Sequence, residues 1–231
     1  MKLFRHLFSH PVKEQKKREE VASVSVPEYI PLPDCHMLAI ADLHYITEEE
    51  WALLERAADG VDVVLLLGDI EPYDARRIRA VTPDHIRCLY VLGNHDRWGQ
   101  YDELFGLEDM DGRVVSVKNG IRIAGLSGAP RYKDDPSWAM RTQEEMAEKA
   151  LSVPAADILI THDSPYHYLN PNHSHEGYGG IDEYLKRNCP SLHLFGHHHI
   201  MHEGFYGTSK CVCIFRCALV DVRTGEVTSI F

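Results

Sequence analysis

Residues 61–69 read VDVVLLLGD. The run from Val61 to Leu67 is apolar almost throughout, without the polar alternation of a strand wetted on one side. It therefore predicts a strand buried on both faces, which stops at Gly68-Asp69. The plan recurs on either side. HMLAIADLH at 36–44 carries a short apolar strand, His36 to Ala41, that ends at Asp42-Leu43-His44. RCLYVLGNHD at 87–96 carries another, Arg87 to Leu92, that ends at Gly93-Asn94-His95-Asp96. Between them the periodicity changes to that of helices. Thr47 to Glu50 spells a capping box, with Thr47 as N-cap and Glu50 reaching back, and opens a helix to about Asp59. A second helix is predicted over Asp74 to Val81. Strands alternating with helices make this an α/β chain.

Val114 to Val117 and Ile121 to Leu126 flank Asn119-Gly120, a hairpin signal. Ser137 to Leu151 is helical by composition. Asp157 to Thr161 is a strand ending at His162, followed by a long loop from Asp163 to Gly180, a length associated with function or mobility. Leu192 to Phe195 is a strand ending at Gly196, and Lys210 to Phe231 forms two or three strands with a turn at Thr224-Gly225. Toward the other end, Met1 to Glu20 is basic and MKLFRHLF could form one short amphipathic helix. Pro27 to Pro33 is an extended linker because its prolines exclude helix. The predicted organisation is an arm and linker over 1–34 and one domain over 35–231.

The chain has 231 residues, 44% of them apolar, enough for one domain with a sizeable core. Its formal charge of −11 argues against a general nucleic-acid binder, whose footprint would be basic. A small phosphorylated substrate remains compatible, since bound cations reverse the local sign. The basic arm leaves nucleic acid open. No apolar run is long enough to span a bilayer, and the first residues are too polar for a secretory signal, so a cytoplasmic protein is expected. The cysteines show no Cys-x-x-Cys spacing and read as reduced core thiols. Cys211 and Cys213 share one strand face.

Five polar clusters fall where strands end: Asp42-Leu43-His44, Gly68-Asp69, Gly93-Asn94-His95-Asp96, Thr161-His162 and Gly196-His197-His198-His199. Ligand sites of α/β sheets gather beyond the carboxyl ends of strands, so loops distant in sequence can converge there. Carboxylate, imidazole and amide oxygen together suit Mn, Fe or Zn better than Ca or Cu(I). In extended backbone the i, i+2 spacing of Asp42 with His44, and of His197 with His199, aims both side chains the same way.

In this order and at these separations, the D-x-H, G-D, G-N-H-D, T-H and G-H-x-H motifs resemble the calcineurin-like metallophosphoesterases. The resemblance covers roughly Met37 to Asp221. It implies a four-layer α/β/β/α sandwich of two mixed sheets with helices outside. It also implies two divalent ions, Mn2+ first, with Fe, Zn or Mg as alternatives. Asp42, His44 and His199 would bind one ion, Asn94, His162 and His197 the other, and Asp69 would bridge them. A hydroxide held between the ions would hydrolyse a phosphomonoester or phosphodiester of a small molecule or nucleotide. His95 would protonate the leaving oxygen or stabilise phosphoryl charge.

One departure from the pattern matters. Many members carry G-D-x-x-D, whose second Asp supports the catalytic His; here that position is Pro72. A carboxylate partner for His95 would have to be Asp96, Glu71 or Asp74. Arg131 and His175 are candidate substrate contacts: Arg131 reads equally as a cation for phosphate or as part of a surface salt bridge, and His175 equally as lining the substrate entrance or as merely exposed. His198 should point away from its two neighbours, packed or facing solvent. A non-catalytic protein-binding scaffold on the same fold is the alternative function, and a C–N or C–S metallohydrolase ranks below it for want of a His-x-His-x-Asp-His cluster.

Overall fold

The computed structural model describes residues 27–169 and 175–231. The amphipathic stretch MKLFRHLF and His173 lie outside the described residues. Two six-stranded sheets dominate. The first is built from β1 (His36–Ala41), β2 (Val63–Leu66), β3 (Arg87–Tyr90), β4 (Leu107–Asp109), β13 (Arg216–Asp221) and β14 (Glu226–Ser229), in the order β14-β13-β1-β2-β3-β4. Its four strands from β1 to β4 run parallel, and the β13–β14 pair adds an antiparallel edge. The second contains β5 (Val114–Ser116), β6 (Arg122–Leu126), β9 (Ile158–Thr161), β10 (Leu192–Phe195), β11 (His202–Tyr206) and β12 (Ser209–Cys213), in the order β11-β12-β10-β9-β6-β5. Short β7 (Ala129–Pro130) and β8 (Met140–Arg141) pair apart from both.

Three apolar clusters correspond to the three interfaces of a four-layer sandwich. Alternate residues of the first sheet, Met37, Ala39, Leu65 and Leu89, meet Ile123, Ile160, Leu194 and Val212 of the second. The other set of the first sheet, Leu38, Ile40, Val64 and Leu66, packs against Trp51, Leu54 and Ile78 of helices α1 (Glu48–Ala58) and α2 (Pro72–Val81). Ala124, Leu126, Leu159 and Phe195 of the second sheet pack against Met146, Ile181 and Tyr184 of α3 (Gln143–Ser152) and α4 (Gly179–Asn188). Both sheets are thus covered on two faces, which is why their strands read as unbroken apolar runs. Cys211 and Cys213 share the α3–α4 side, as their spacing predicts.

The Thr47–Glu50 capping box is present in both directions. The helix expected from Ser137 begins instead at Gln143. Thr142 caps it through its own box with Glu145, and the preceding Met140–Arg141 is drawn into pairing with Ala129–Pro130. Helix α4, inside what reads as loop at its start, opens on two glycines. A Cβ on Gly180 would lie 2.9 Å from the Ala147 backbone, so the glycine lets α4 settle directly on α3. Strands β4 and β11 are short additions that the apolar pattern does not signal. The extended stretch before Cys35 docks on the first sheet: the Tyr29 hydroxyl and the Leu32 N–H both donate to Val222 O. No helix among the described residues is long and apolar enough to cross a membrane.

Candidate metal centre

The loops leaving β1, β2 and β3 in one sheet and β9 and β10 in the other meet at one edge of the sandwich. Backbone groups stitch them together. Asp42 N–H donates to Gly68 O at 3.1 Å and Gly196 N–H to His162 O at 2.9 Å. His197 N–H donates to Asp42 Oδ2 at 2.8 Å, joining the two sheets through a carboxylate. Asp42, Asp69, His197 and His199 all sit in left-handed backbone, at φ of 50°, 54°, 70° and 52°. Such conformations cost about 1–3 kcal/mol each in non-glycine residues and persist where the surroundings over-determine them, which is common at functional sites.

All seven candidate ligands come to this edge. Donor atoms of Asp69, His162 and His197 lie within 4.8 Å of one another. His162 Nε2 is 3.0 Å from Asn94 Oδ1 and 3.5 Å from Asp69 Oδ2. His199 Nε2 is 3.6 Å from Asp42 Oδ1, and the His44 ring is 5.6 Å from the His199 ring. Asp42 and His162 are fully buried, while His44, His95 and His199 face solvent.

The protons can be placed. Leu67 O can only accept, so the 2.8 Å contact from His162 Nδ1 is an N–H donation, and Nε2 is the nitrogen left to offer a lone pair to the centre. Asn94 Nδ2 donates to the Tyr132 hydroxyl at 2.9 Å, which turns its Oδ1 toward His162. Three acceptors, Asp69 Oδ2, Asn94 Oδ1 and His162 Nε2, therefore converge with nothing of their own to share. Asp42 Oδ1 is buried without a hydrogen-bond partner. A cation satisfies this set, and so does a proton on His162. Burial opposes that proton, but the Asp69 and Asp42 carboxylates outweigh it and push His162 up to about 8. Burial pushes His197 down to about 4, leaving it neutral and able to ligate.

This arrangement has a measurable consequence. At pH 7 an incoming ion must displace the His162 proton, so loading should release about one proton from this site. Its apparent affinity should weaken about tenfold per pH unit below about 8. Calorimetric titration in buffers of different ionisation enthalpy counts the protons, and zero release at pH 7 would contradict the upward shift of His162. In the ion-free protein the sign is opposite for stability. A raised pKa stabilises the fold below the ordinary histidine range, and that contribution is lost as pH rises through about 8.

The remaining candidates divide. The His95 N–H donates to Asp69 Oδ1 at 2.8 Å, and its exposed ring lies 6.4 Å from that of His44. Asp96 does not support the His95 ring. Its Oδ2 accepts the N–H groups of Asp69 (2.8 Å) and Gly93 (2.7 Å), and its Oδ1 accepts from Gln100 (2.7 Å). It is a brace for the turns that carry Asp69 and Asn94. Burial and then the Asp69 charge push it up to about 7. Glu71 and Asp74 make no described hydrogen bond to His95 either. The Arg131 guanidinium is held by Glu145 at 2.8 Å, at the start of α3. His175 does reach the centre, its ring 4.7 Å from that of His197. His198 packs, its Nε2 3.1 Å from Ser164 Oγ. Sequence reasoning missed the brace on Asn94. Besides Tyr132, Lys133 Nζ donates to Asn94 O at 2.8 Å while lying 3.7 Å over the Trp138 ring.

A family model described as calcineurin-like phosphoesterase matches residues 36–201, which include all of these motifs. The chain belongs to the calcineurin-like phosphoesterases. No curated protein matches it by sequence. Among solved structures, this calcineurin-like phosphoesterase is similar to TT1561 of Thermus thermophilus, with a TM-score of 0.62 and 16% identity over 86% of this chain and 100% of that one. It is also similar to the phosphopantetheinyl hydrolase PptH from Mycobacterium tuberculosis (0.55, 13%, 79% and 90%). A third similar structure is GAP50, described as the anchor in the inner membrane complex of Plasmodium (0.51, 12%, 85% and 88%). At these identities the likenesses establish the fold.

Proposed function

We propose that this calcineurin-like phosphoesterase is an active, dinuclear-metal-dependent enzyme that hydrolyses a phosphomonoester or phosphodiester bond of a small molecule. The observation that carries the reading is the convergence of Asp69 Oδ2, Asn94 Oδ1 and His162 Nε2 beside the unpartnered Asp42 Oδ1. Asp42, His44 and His199 would hold one ion, Asn94, His162 and His197 the other, and Asp69 both. Manganese fits this mixture of oxygen and imidazole donors, as do iron and zinc. Ions bound here would supply Lewis acidity and lower the pKa of water near neutral pH.

The chain's own groups supply the rest. His95 stands at the exposed mouth on a backbone pinned to Asp69, placed to give a proton to a leaving oxygen or a hydrogen bond to a phosphoryl oxygen. A cavity of about 520 Å3 opens beside His44, with Tyr45, Tyr73, Glu48, Glu71, Asp74 and Arg77 in its wall. Three carboxylates against one guanidinium make that wall unwelcoming to a polyanion. This favours a compact leaving group over a nucleic-acid strand.

The test is turnover of an aryl phosphate monoester and a bis-aryl diester with added Mn2+. His95→Ala should lower turnover about 10²–10⁴-fold with metal content retained, the range for loss of a general acid. An unchanged rate would remove His95 from the chemistry. A scaffold reading draws on the GAP50 likeness and predicts neither bound ions nor turnover. The complete ligand set argues against it.

A further inference from the structure

Asp163 follows His162 and is wholly buried. Its Oδ1 accepts the Ser164 N–H at 2.7 Å and lies 3.4 Å from His198 Nε2. Its Oδ2 has no hydrogen-bond partner. The atom that faces it, 3.9 Å away, is Nε2 of His197, which is buried and also has none. Two such groups left unpaired in a protein interior are costly, and a facing pair in the wall of a site calls for a function.

His198 cannot fill the gap. The Ser164 hydroxyl gives its proton to Pro165 O at 3.1 Å, so it must accept from His198 Nε2, whose single N–H is thereby committed. His198 and Ser164 instead fix the Oδ1 side of the carboxylate and leave Oδ2 aimed at His197. An ionised carboxylate only accepts. The proton between the two orphans therefore belongs on His197 Nε2, which leaves the lone pair on Nδ1. The two ring nitrogens point in nearly opposite directions. A ring that turns Nε2–H to the wall presents Nδ1 to the side where Asp69 and His162 lie, the His162 ring being 4.9 Å away.

We propose that Asp163 is a positioning residue for the metal centre: when the second ion is bound, its Oδ2, 3.9 Å from His197 Nε2 here, closes on that nitrogen and accepts its proton, fixing the tautomer in which His197 meets the ion through Nδ1. The inference rests on the dinuclear reading above. The carboxylate sets the ring's angle and raises the basicity of the nitrogen it leaves free, as outer carboxylates do for ligating histidines. The neighbouring His162 is fixed in the complementary way, its Nδ1–H on Leu67 O and Nε2 toward the centre. The two histidines thus approach from opposite ring edges, each locked by an acceptor behind it.

The test compares the wild-type protein with Asp163→Asn and Asp163→Ala by calorimetric titration with Zn2+, with melting of the ion-free forms measured in parallel. Asparagine keeps the shape and loses the charge. The expected result is an ion-free Asp163→Asn that melts close to wild type but binds one of the two ions about 10–100-fold more weakly. Wild-type affinity for both ions in either variant would overturn the proposal and leave the dinuclear reading standing. A wild-type protein that binds no Zn2+ would overturn both. Long-range 1H–15N spectra of the Zn2+-loaded wild type give a readout independent of any variant. A protonated Nε2 on His197 supports the proposal, and a metal-bound Nε2 refutes it.

Discussion

Asp69→Asn is expected to abolish ion binding at one or both positions and to lower phosphoester turnover by about 10³-fold or more. The change removes the charge common to both proposed ion sites, where loss of a single charge-stabilising donor alone costs about 10²–10³. The fold should survive. Asparagine keeps an oxygen to accept the His95 N–H, now bonded to Asp69 Oδ1 at 2.8 Å, and its own N–H still donates to Asp96 at 2.8 Å. The charge of Asp69 also helps push Asp96 upward, so its removal relieves repulsion within the ion-free site. Against that, His162 loses the carboxylate 3.5 Å away that most favours its protonated form. These opposed effects leave the ion-free melting temperature near that of wild type. Elemental analysis, initial rates and melting measured together decide the matter. A variant that turns over normally with a single ion per chain would sink the dinuclear reading.

The strands that carry the centre were legible because burial on two faces leaves an unbroken apolar run, and each run stops at a polar cluster. Val63–Leu66, Ile158–Thr161 and Leu192–Phe195 all show this pattern. The convergence of seven residues could be read from the same rule, since those clusters lie at strand carboxyl ends. Elements governed by tertiary contact were not legible. Composition extends the helix before Gln143 back to Ser137, although Thr142 and Glu145 spell a capping box equivalent to Thr47 and Glu50. The two glycines opening α4 read as loop, and only the approach of Ala147 explains them.

Partners far apart in sequence escaped for the same reason. Asp96 looks like a neighbour able to support His95, yet the turns it braces take one of its oxygens and Gln100 the other. Arg131 reads equally as a phosphate-binding cation or as half of a surface salt bridge, and only the start of α3 brings Glu145 to it. Tyr132 orients the Asn94 amide across 38 residues of sequence. Asp163 stands beside His162 in sequence but faces His197, 34 positions later, a relation set by the pairing of β9 with β10.

Gly93→Ala is expected to cost about 1–3 kcal/mol of stability, the range for overpacking a filled interior, and at least about 10² in turnover. Gly93 does not lie in left-handed backbone, so the penalty is steric and not conformational. A Cβ there would sit 2.6 Å from His162 Nε2 and closer still to Asp69 Oδ1, between the shared carboxylate and the nitrogen proposed to face the second ion. Neither neighbour can yield cheaply. Asp69 is held by the His95 N–H and by its own left-handed backbone, and His162 is held by Leu67 O. The added methyl must therefore displace ligands, and a misplacement of about 1 Å is enough for a 10²-fold loss. Gly120→Ala is the matched control. Gly120 has φ of 77° with nothing within 4 Å of an added Cβ, so it should lose about 1 kcal/mol of stability and no activity. If Gly93→Ala melts and turns over like the control variant, the site tolerates movement of Asp69 and His162. A mechanism that depends on their fixed separation would then have to be abandoned.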